Sequence, residues 1–218
     1  MHLARGSIVA ATSVLTRPRK QSRDATLQKA DTLLAAAAAL IAEKGFEATA
    51  IRDVGRRLEV SLGGMYYYFA SKDDLLFQIQ HRTFTALLAE QERVAEQPGS
   101  AEDRLHRLLV GHLAFFARHP NEMKICTFEL ESLKGDFYDR VLVVRRRYFR
   151  LVADVIADLT GRRERKPRGH DRHVTLFVFG MLNWAFMWYQ TSKDGPVEAV
   201  AAEMLELIVN GAAPRKRR

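Results

Sequence analysis

Hydrophobic residues recur at steps of three and four along nearly the whole chain, which is the spacing of one face of an α-helix. The alternation of apolar and polar residues that indicates a β-strand is almost absent. Capping residues, glycines and prolines divide the helical pattern into about nine segments. The sequence therefore predicts an all-α fold.

Capping residues locate the first four helices. The first is predicted over about residues 27–44, and Gly45 ends it. Thr49 is predicted to cap a short second helix, and Ser61 a short third helix. Ser71 is followed three residues later by an aspartate, which is a capping box and predicts the start of a long fourth helix.

The remaining helices are longer. After a helix that stops before Pro120, helices are predicted over about residues 121–133 and 137–159, the latter with a continuous apolar stripe. The longest apolar run, residues 174–189, has 16 residues. Because a membrane span needs about 20, we interpret this run as a helix buried on most sides and expect no membrane partner.

Residues 46–76 read FEATAIRDVGRRLEVSLGGMYYYFASKDDLL. Their two short helices, joined by a tight turn with Leu58 and Val60 pointing inward, have the dimensions of a helix-turn-helix. The second helix of such a unit is small enough to enter the major groove of DNA. A short helical hairpin in any bundle has the same periodicity, so the spacing alone leaves both interpretations open.

The segments TAIRDV, VSLGGMYYYF and SKDDL are more specific, and with the preceding helix they resemble the DNA-binding domain of TetR-family transcriptional regulators. The resemblance covers about residues 27–77, and the helical remainder agrees in length and order. It implies an N-terminal three-helix domain over residues 25–72 and a C-terminal helical bundle for ligand binding and dimerisation over residues 73–211.

Two residues depart from the family pattern. Gly55 stands where a small alanine is usual and is expected to cost up to about 1 kcal/mol in helix propensity. Glu59 stands where the turn usually has glycine, and a left-handed conformation there would add strain. Neither change removes a group that contacts DNA.

The resemblance also implies how DNA is bound. Hydroxyl and ammonium groups at helix starts can donate hydrogen bonds to phosphate oxygens. The first residues of the second short helix are implied to contact the edges of the bases. Thr49, Tyr66 and Lys72 are the implied phosphate anchors. The other implied DNA-binding residues are Arg52, Ser61, Leu62, Gly63, Gly64 and Tyr67.

The net charge of +8 does not belong to this domain. Residues 1–23 carry five basic side chains and no acid, whereas residues 24–211 hold 25 basic and 26 acidic side chains. We predict a flexible basic arm over residues 1–24 and a basic tail over residues 212–218, which add salt-dependent affinity for DNA. A transit peptide or a misassigned start codon would also explain the first 23 residues.

For the C-terminal half the resemblance implies a homodimer formed by the last two helices and an internal pocket for a small hydrophobic effector. Ligand binding there would move the long fourth helix and release a palindromic double-stranded operator. The candidate lining residues are aromatic or polar side chains of this half, namely His112, Phe116, Phe128, Arg147, Tyr148, Asn183, Trp184 and Trp188. Each of them could equally serve core packing.

The segment NWAFMWY and the cluster Arg145, Arg146, Arg147 and Arg150 resemble TetR-family members that respond to acyl-coenzyme A thioesters. An apolar tunnel would take the acyl chain and arginines the phosphates. The alternative is a regulator of an efflux pump that senses a hydrophobic drug or a free fatty acid. Repression relieved by the effector is the expected mode of control.

Two other classes of protein compete with a regulator. An enzyme is disfavoured because the seven histidines are scattered and the closest pair, His170 and His173, lacks a third ligand at metal spacing. A helical protein that does not bind DNA would leave the motif of residues 46–76 unexplained. We expect no catalytic residues, no metal and no cofactor. The single cysteine, Cys126, predicts a buried thiol without a disulfide, which is consistent with a cytoplasmic protein.

Overall fold

The fold is described from a computed structural model that covers residues 18–161, 169–185 and 187–210. Every regular element in these ranges is an α-helix, as the sequence predicts. The helices are α1 (Pro18–Lys44), α2 (Ile51–Arg57), α3 (Leu62–Tyr68), α4 (Lys72–Ala95), α5 (Ala101–Arg118), α6 (Pro120–Phe128), α7 (Gly135–Leu159), α8 (Gly169–Ala185), α9 (Thr191–Asp194) and α10 (Val197–Asn210).

The boundaries differ from the predictions in three places. Helix α1 begins at Pro18 and not near residue 27, and the short α9 makes ten helices in the described ranges. Helix α6 ends at Phe128, well before residue 133, because the following Glu129 is held by other elements. Residues 1–17 of the predicted arm and the tail 212–218 lie outside the described residues.

Serine caps begin α3, α4 and α5. The hydroxyl oxygens of Ser61, Ser71 and Ser100 each accept a hydrogen bond from the backbone N–H three residues on. The prediction that Thr49 caps α2 is wrong, because the cap position is Ala50. Its backbone N–H donates to the Asp53 carboxylate at 3.3 Å, which satisfies the helix start without a hydroxyl.

Helix α4 links the two halves of the molecule. It packs against α1 on the N-terminal side and against α5, α6 and α7 in the C-terminal bundle, while α8 packs on α7 and α10 on α5. Ala37 and Ala38, from the alanine run of α1, are fully buried. No helix in the described ranges is long and apolar enough to cross a membrane.

Candidate DNA-binding surface and effector cavity

A backbone hydrogen bond closes the tight turn between α2 and α3. The backbone N–H of Val60 donates to the Gly55 carbonyl at 2.8 Å, which brings the chain back against α2. A methyl group on Gly55 would lie 2.6 Å from the Val60 carbonyl oxygen. Gly55 is therefore required by this close approach, which the helix-propensity argument did not foresee. Glu59 has φ of 55°, so it adopts the left-handed conformation that adds strain at a residue other than glycine.

Helix α3 presents one polar and aromatic face to solvent. Leu62 is half exposed, and Tyr66 and Tyr67 are 53% and 75% exposed. Met65 and Phe69 are fully buried and hold the helix against the domain core. An exposed short helix after a tight turn is the arrangement that places side chains in a major groove.

The two glycines of α3 differ in their surroundings. A methyl group on Gly63 would meet nothing within 4 Å, so the backbone of the first turn is open there. A methyl group on Gly64 would lie 2.9 Å from Val60 Cγ1, and the Gly64 N–H donates to Ser61 Oγ at 3.1 Å. Gly63 is thus the position at which another molecule can approach the backbone. Arg52 lies exposed on α2.

Thr49 and Lys72, two of the expected phosphate anchors, make contacts inside the protein. Thr49 is buried and its hydroxyl donates to the Gly45 carbonyl at 2.9 Å. Lys72 Nζ donates to the Glu47 carbonyl at 3.2 Å and lies 4.2 Å from the centre of the Phe46 ring. Both side chains therefore hold the loop before α2 in place.

A cavity of about 290 Å³ lies between α4, α5, α7 and α8, and we call it the effector cavity. Its wall is mostly aromatic and carries two guanidinium groups, one imidazole, one phenol and one amide. The lining residues are Phe84, His112, Arg145, Arg146, Tyr148, Phe149, Leu176, Phe179 and Asn183.

Three of the expected effector residues, His112, Tyr148 and Asn183, line this cavity. A fourth, Phe116, is buried with its ring centre 4.9 Å from that of His112. His112 Nδ1 lies 2.8 Å from the Tyr148 hydroxyl. Burial lowers the pKa of His112 to about 3 and raises that of Tyr148 above its usual value, so both side chains are uncharged at neutral pH.

The other four expected residues lie elsewhere. Arg147 points away from the cavity and its Nε lies 2.7 Å from Glu92 Oε1. Phe128 is half exposed at the end of α6. Trp184 and Trp188 line an open apolar groove of about 490 Å³ between α8 and α10. Helical periodicity places these rings on a face but does not say which neighbour covers that face.

Arg145 is the main residue of the cavity that the candidate set omitted. Its Nη1 donates to the Cys126 carbonyl at 2.7 Å, and its guanidinium lies 4.7 Å from the centre of the Phe84 ring. It belongs to the basic cluster found in the sequence, but spacing alone could not show which arginine faces inward. Cys126 is buried as predicted, and burial raises the pKa of its thiol to about 12.

An exposed recognition helix joined to a helical bundle with a cavity defines a ligand-responsive DNA-binding protein. The family model for bacterial regulatory proteins of the tetR family matches residues 33–79. The model for the tetracyclin repressor-like C-terminal domain matches residues 98–212. The chain belongs to the TetR family of transcriptional regulators, and it is a ligand-responsive repressor that binds operator DNA as a dimer.

Individual proteins agree with this assignment. The fatty acid metabolism regulator protein of Bacillus subtilis (strain 168) is 21% identical over 193 residues, which are 88% of this chain and 97% of that protein. A TetR-family transcriptional regulator from Bordetella parapertussis 12822 superposes with a TM-score of 0.79 at 24% identity, covering 84% of this chain and 95% of its own. AibR in complex with isovaleryl coenzyme A and operator DNA has a TM-score of 0.72 at 19% identity, covering 82% and 96%.

Proposed function

We propose that the effector of this repressor is an acyl-coenzyme A thioester, which binds in the effector cavity and releases the operator. The proposal rests on one observation, the presence of Arg145 and Arg146 on the same cavity wall as a group of aromatic rings. Similar proteins support it, since AibR was crystallised with isovaleryl coenzyme A and the Bacillus subtilis relative is named for fatty acid metabolism.

The cavity suits both parts of such a molecule. Phe149, Leu176 and Phe179 offer apolar surface to an acyl chain. Arg146 is exposed at the cavity, and its guanidinium forms no ion pair with any described residue. A guanidinium without a carboxylate partner is available to phosphate oxygens, which it binds through paired N–H donors.

The size of the cavity limits which acyl groups can bind in it. Its volume, about 290 Å³, lies just below the range of about 300–1,000 Å³ that small-molecule pockets span. A short or branched acyl chain fits this space without repacking of the surrounding rings. We therefore expect isovaleryl-coenzyme A to bind more tightly than palmitoyl-coenzyme A.

A gel-shift titration tests the effector class. The full chain is bound to DNA flanking its own gene, and isovaleryl-coenzyme A, palmitoyl-coenzyme A, coenzyme A, isovalerate and palmitate are added in turn. The thioesters are expected to dissociate the complex, whereas coenzyme A and the free acids leave it intact. Dissociation by palmitate, without an effect of the thioesters, would favour the efflux-pump alternative.

Matched arginine variants test the phosphate site. Arg146→Gln removes a guanidinium at the cavity and is expected to weaken isovaleryl-coenzyme A binding about tenfold in calorimetry. Arg147→Gln removes the same charge one residue on, where the guanidinium pairs with Glu92 outside the cavity. This control should bind as tightly as the parent protein. Equal losses in both variants would indicate a diffuse charge effect.

We propose that α3 reads the operator through Ser61, Leu62, Gly63, Tyr66 and Tyr67, with Arg52 alongside. The support is their position on the exposed face of α3 and α2. Tyr67→Ala is expected to weaken operator binding about tenfold, with little effect on unrelated DNA. Tyr67→Phe separates the ring from the hydroxyl. Binding unchanged in both variants would remove Tyr67 from the contact surface.

For Thr49, Gly64 and Lys72 we propose a supporting role, because each makes close contacts within the domain.

We further propose that the protein binds its effector without converting it and acts in the cytoplasm, where its DNA partner is. None of the described residues lining the effector cavity is a carboxylate, and His112 and Tyr148 are uncharged at neutral pH. Recovery of unchanged thioester after incubation, by mass spectrometry, tests the absence of catalysis.

A further inference from the structure

His112 and Tyr148 form a hydrogen-bonded pair inside the wall of the effector cavity. The two rings are nearly parallel, with an angle of 13° and a separation of 5.8 Å between their centres. Nδ1 of His112 and the Tyr148 hydroxyl are 2.8 Å apart. Both side chains are buried, and one comes from α5 and the other from α7. The pair therefore has a fixed position in the cavity wall.

The second ring nitrogen of His112 has no hydrogen-bond partner. Nε2 is fully buried, and no described residue donates to it or accepts from it. A buried polar atom without a partner costs roughly 1–3 kcal/mol, so native proteins rarely retain one without a reason. Because His112 lines the effector cavity, a ligand bound there can supply the missing hydrogen-bond partner.

The state of the imidazole defines the chemistry of the missing partner. Burial lowers the pKa of His112 to about 3, so only one ring nitrogen carries a proton at neutral pH. When the Tyr148 hydroxyl donates to Nδ1, the proton sits on Nε2, so this residue of the cavity lining has one free N–H donor. In the opposite tautomer Nε2 is a bare acceptor, which a carbonyl group could not satisfy. A carbonyl ligand thus selects the first arrangement.

The charges around the pair favour an uncharged acceptor. The rings of Phe116 and Phe179 lie against His112, at 4.9 and 6.5 Å between centres. Among the described residues that line the cavity, the charged ones are Arg145 and Arg146, both from α7. The phosphates of a coenzyme A ester would occupy the arginine side, which leaves the thioester carbonyl for the imidazole.

We propose that Nε2–H of His112 donates a hydrogen bond to the thioester carbonyl oxygen of the effector, while the Tyr148 hydroxyl holds the imidazole in the required tautomer. This inference rests on the proposed function, because it assigns a part of the acyl-coenzyme A to a residue. It makes His112 a specificity-determining residue that separates thioesters from ligands of the same shape without a carbonyl.

A pair of ligands tests the inference on the unmodified protein. Isovaleryl-coenzyme A and S-isopentyl-coenzyme A differ only in the carbonyl, which a methylene replaces in the thioether. Calorimetry with the full chain is expected to give an affinity for the thioester at least about tenfold higher. Equal affinities would overturn the role of His112 and leave the effector class standing. Failure of both ligands to bind would remove the proposed function itself.

Two variants test whether His112 causes the preference for the thioester over the thioether. His112→Phe keeps a ring in the wall without a donor and is expected to bind both ligands equally. Phe116→Leu, the matched control, changes the neighbouring ring and should weaken both ligands alike while keeping the tenfold preference. A preference that survives in His112→Phe would overturn the proposal.

A measurement on the unmodified protein avoids any effect of substitution on folding. Nitrogen-15 chemical shifts of labelled histidine distinguish the two neutral tautomers. The complex with isovaleryl-coenzyme A should show His112 protonated on Nε2, and the signal of that nitrogen should move on exchange for the thioether. Protonation on Nδ1 in the thioester complex would contradict the assignment.

Discussion

At the scale of single residues, Gly55 and Glu59 explain how the helix-turn-helix tolerates an unusual turn. Glu59 adopts the left-handed conformation that glycine adopts without strain. Gly55 allows the Val60 carbonyl to approach within a distance that no alanine methyl group would permit. The strain at Glu59 therefore lowers the stability of the turn, whereas the packing of Val60 against α2 requires a glycine at position 55.

We expect Glu59→Gly to raise the free energy of unfolding by about 1 kcal/mol, because it removes the left-handed strain. Glu59→Gln keeps that strain and removes only the charge, so it should leave stability nearly unchanged. Gly55→Ala should destabilise the protein, in contrast to its effect on an isolated helix. Urea denaturation measures all three, and a stabilising Gly55→Ala would show that the turn is looser than described.

His112 gives the stability of the protein a pH dependence. In the unfolded chain its pKa is near 6.5, whereas in the folded protein burial lowers the pKa to about 3. Between these values the unfolded state binds more protons than the folded state. Stability therefore falls as the pH falls below 6.5, and this contribution continues to fall until the pH approaches 3.

We expect the parent protein to lose about 2 kcal/mol more stability than His112→Phe between pH 7 and pH 5. The variant cancels the contributions of other titrating groups, such as His81, whose pKa is also lowered by burial. Urea denaturation at the two pH values, at one protein concentration, gives the difference. Identical losses in both proteins would show that His112 takes up its proton without unfolding.

At the scale of elements, α6 connects the effector cavity to the DNA-binding domain. Arg145 of the cavity wall donates to the Cys126 carbonyl in the last turn of α6. On the other side, Lys124 Nζ donates to the Ala42 carbonyl of α1 at 2.6 Å, and the Phe46 N–H donates to Glu129 Oε1 at 3.1 Å. If a ligand displaced Arg145, α6 would move with it, and the contacts of α6 would transmit this movement to the end of α1.

Lys124→Met should weaken the coupling between effector and operator while each binds separately with nearly its normal affinity. We expect the ratio of operator dissociation constants with and without isovaleryl-coenzyme A to fall severalfold, since such coupling typically amounts to about 1–3 kcal/mol. Lys134→Met removes an exposed lysine between α6 and α7 and serves as the control. An unchanged ratio in Lys124→Met would show that the hydrogen bond from Lys124 to Ala42 does not couple the effector to the operator.

At the scale of the whole molecule, helices α8 and α10 expose an apolar surface that another protein chain can cover. Trp184, Trp188 and Leu207 are each about half exposed around the same groove. Exposed apolar patches of this kind mark protein–protein interfaces. Because the protein is a dimer, we assign this groove to the contact between two copies, which sets the spacing of the two α3 helices on the operator.

Leu207→Glu should convert the dimer to monomers in analytical ultracentrifugation, because it introduces a charge into this apolar face. Operator binding should be lost at concentrations where the parent protein binds fully, while circular dichroism remains helical. Val143→Glu places the same charge at an exposed apolar position of α7 and should stay dimeric. A dimeric Leu207→Glu would move the interface to another face.

Much of the architecture was predictable because it follows from local chemistry. The serine caps at Ser61 and Ser71 start their helices where the sequence predicts, since the hydroxyl bonds a backbone group three residues away. The end of α6 was not predictable in this way. The residue that follows the helix, Glu129, accepts hydrogen bonds from the Phe46 N–H and the Gln80 side chain, which are distant in sequence.

The sequence by itself determined the helices, the helix-turn-helix motif and the separation of charge between the ends and the body of the chain. Only the tertiary structure decided that Arg145 faces the cavity while Arg147 pairs with Glu92, and that Trp184 lines the groove between α8 and α10 and not the cavity. The physical reason is that periodicity places a side chain on one face of a helix. What covers that face depends on the packing of helices that the chain brings together from distant positions.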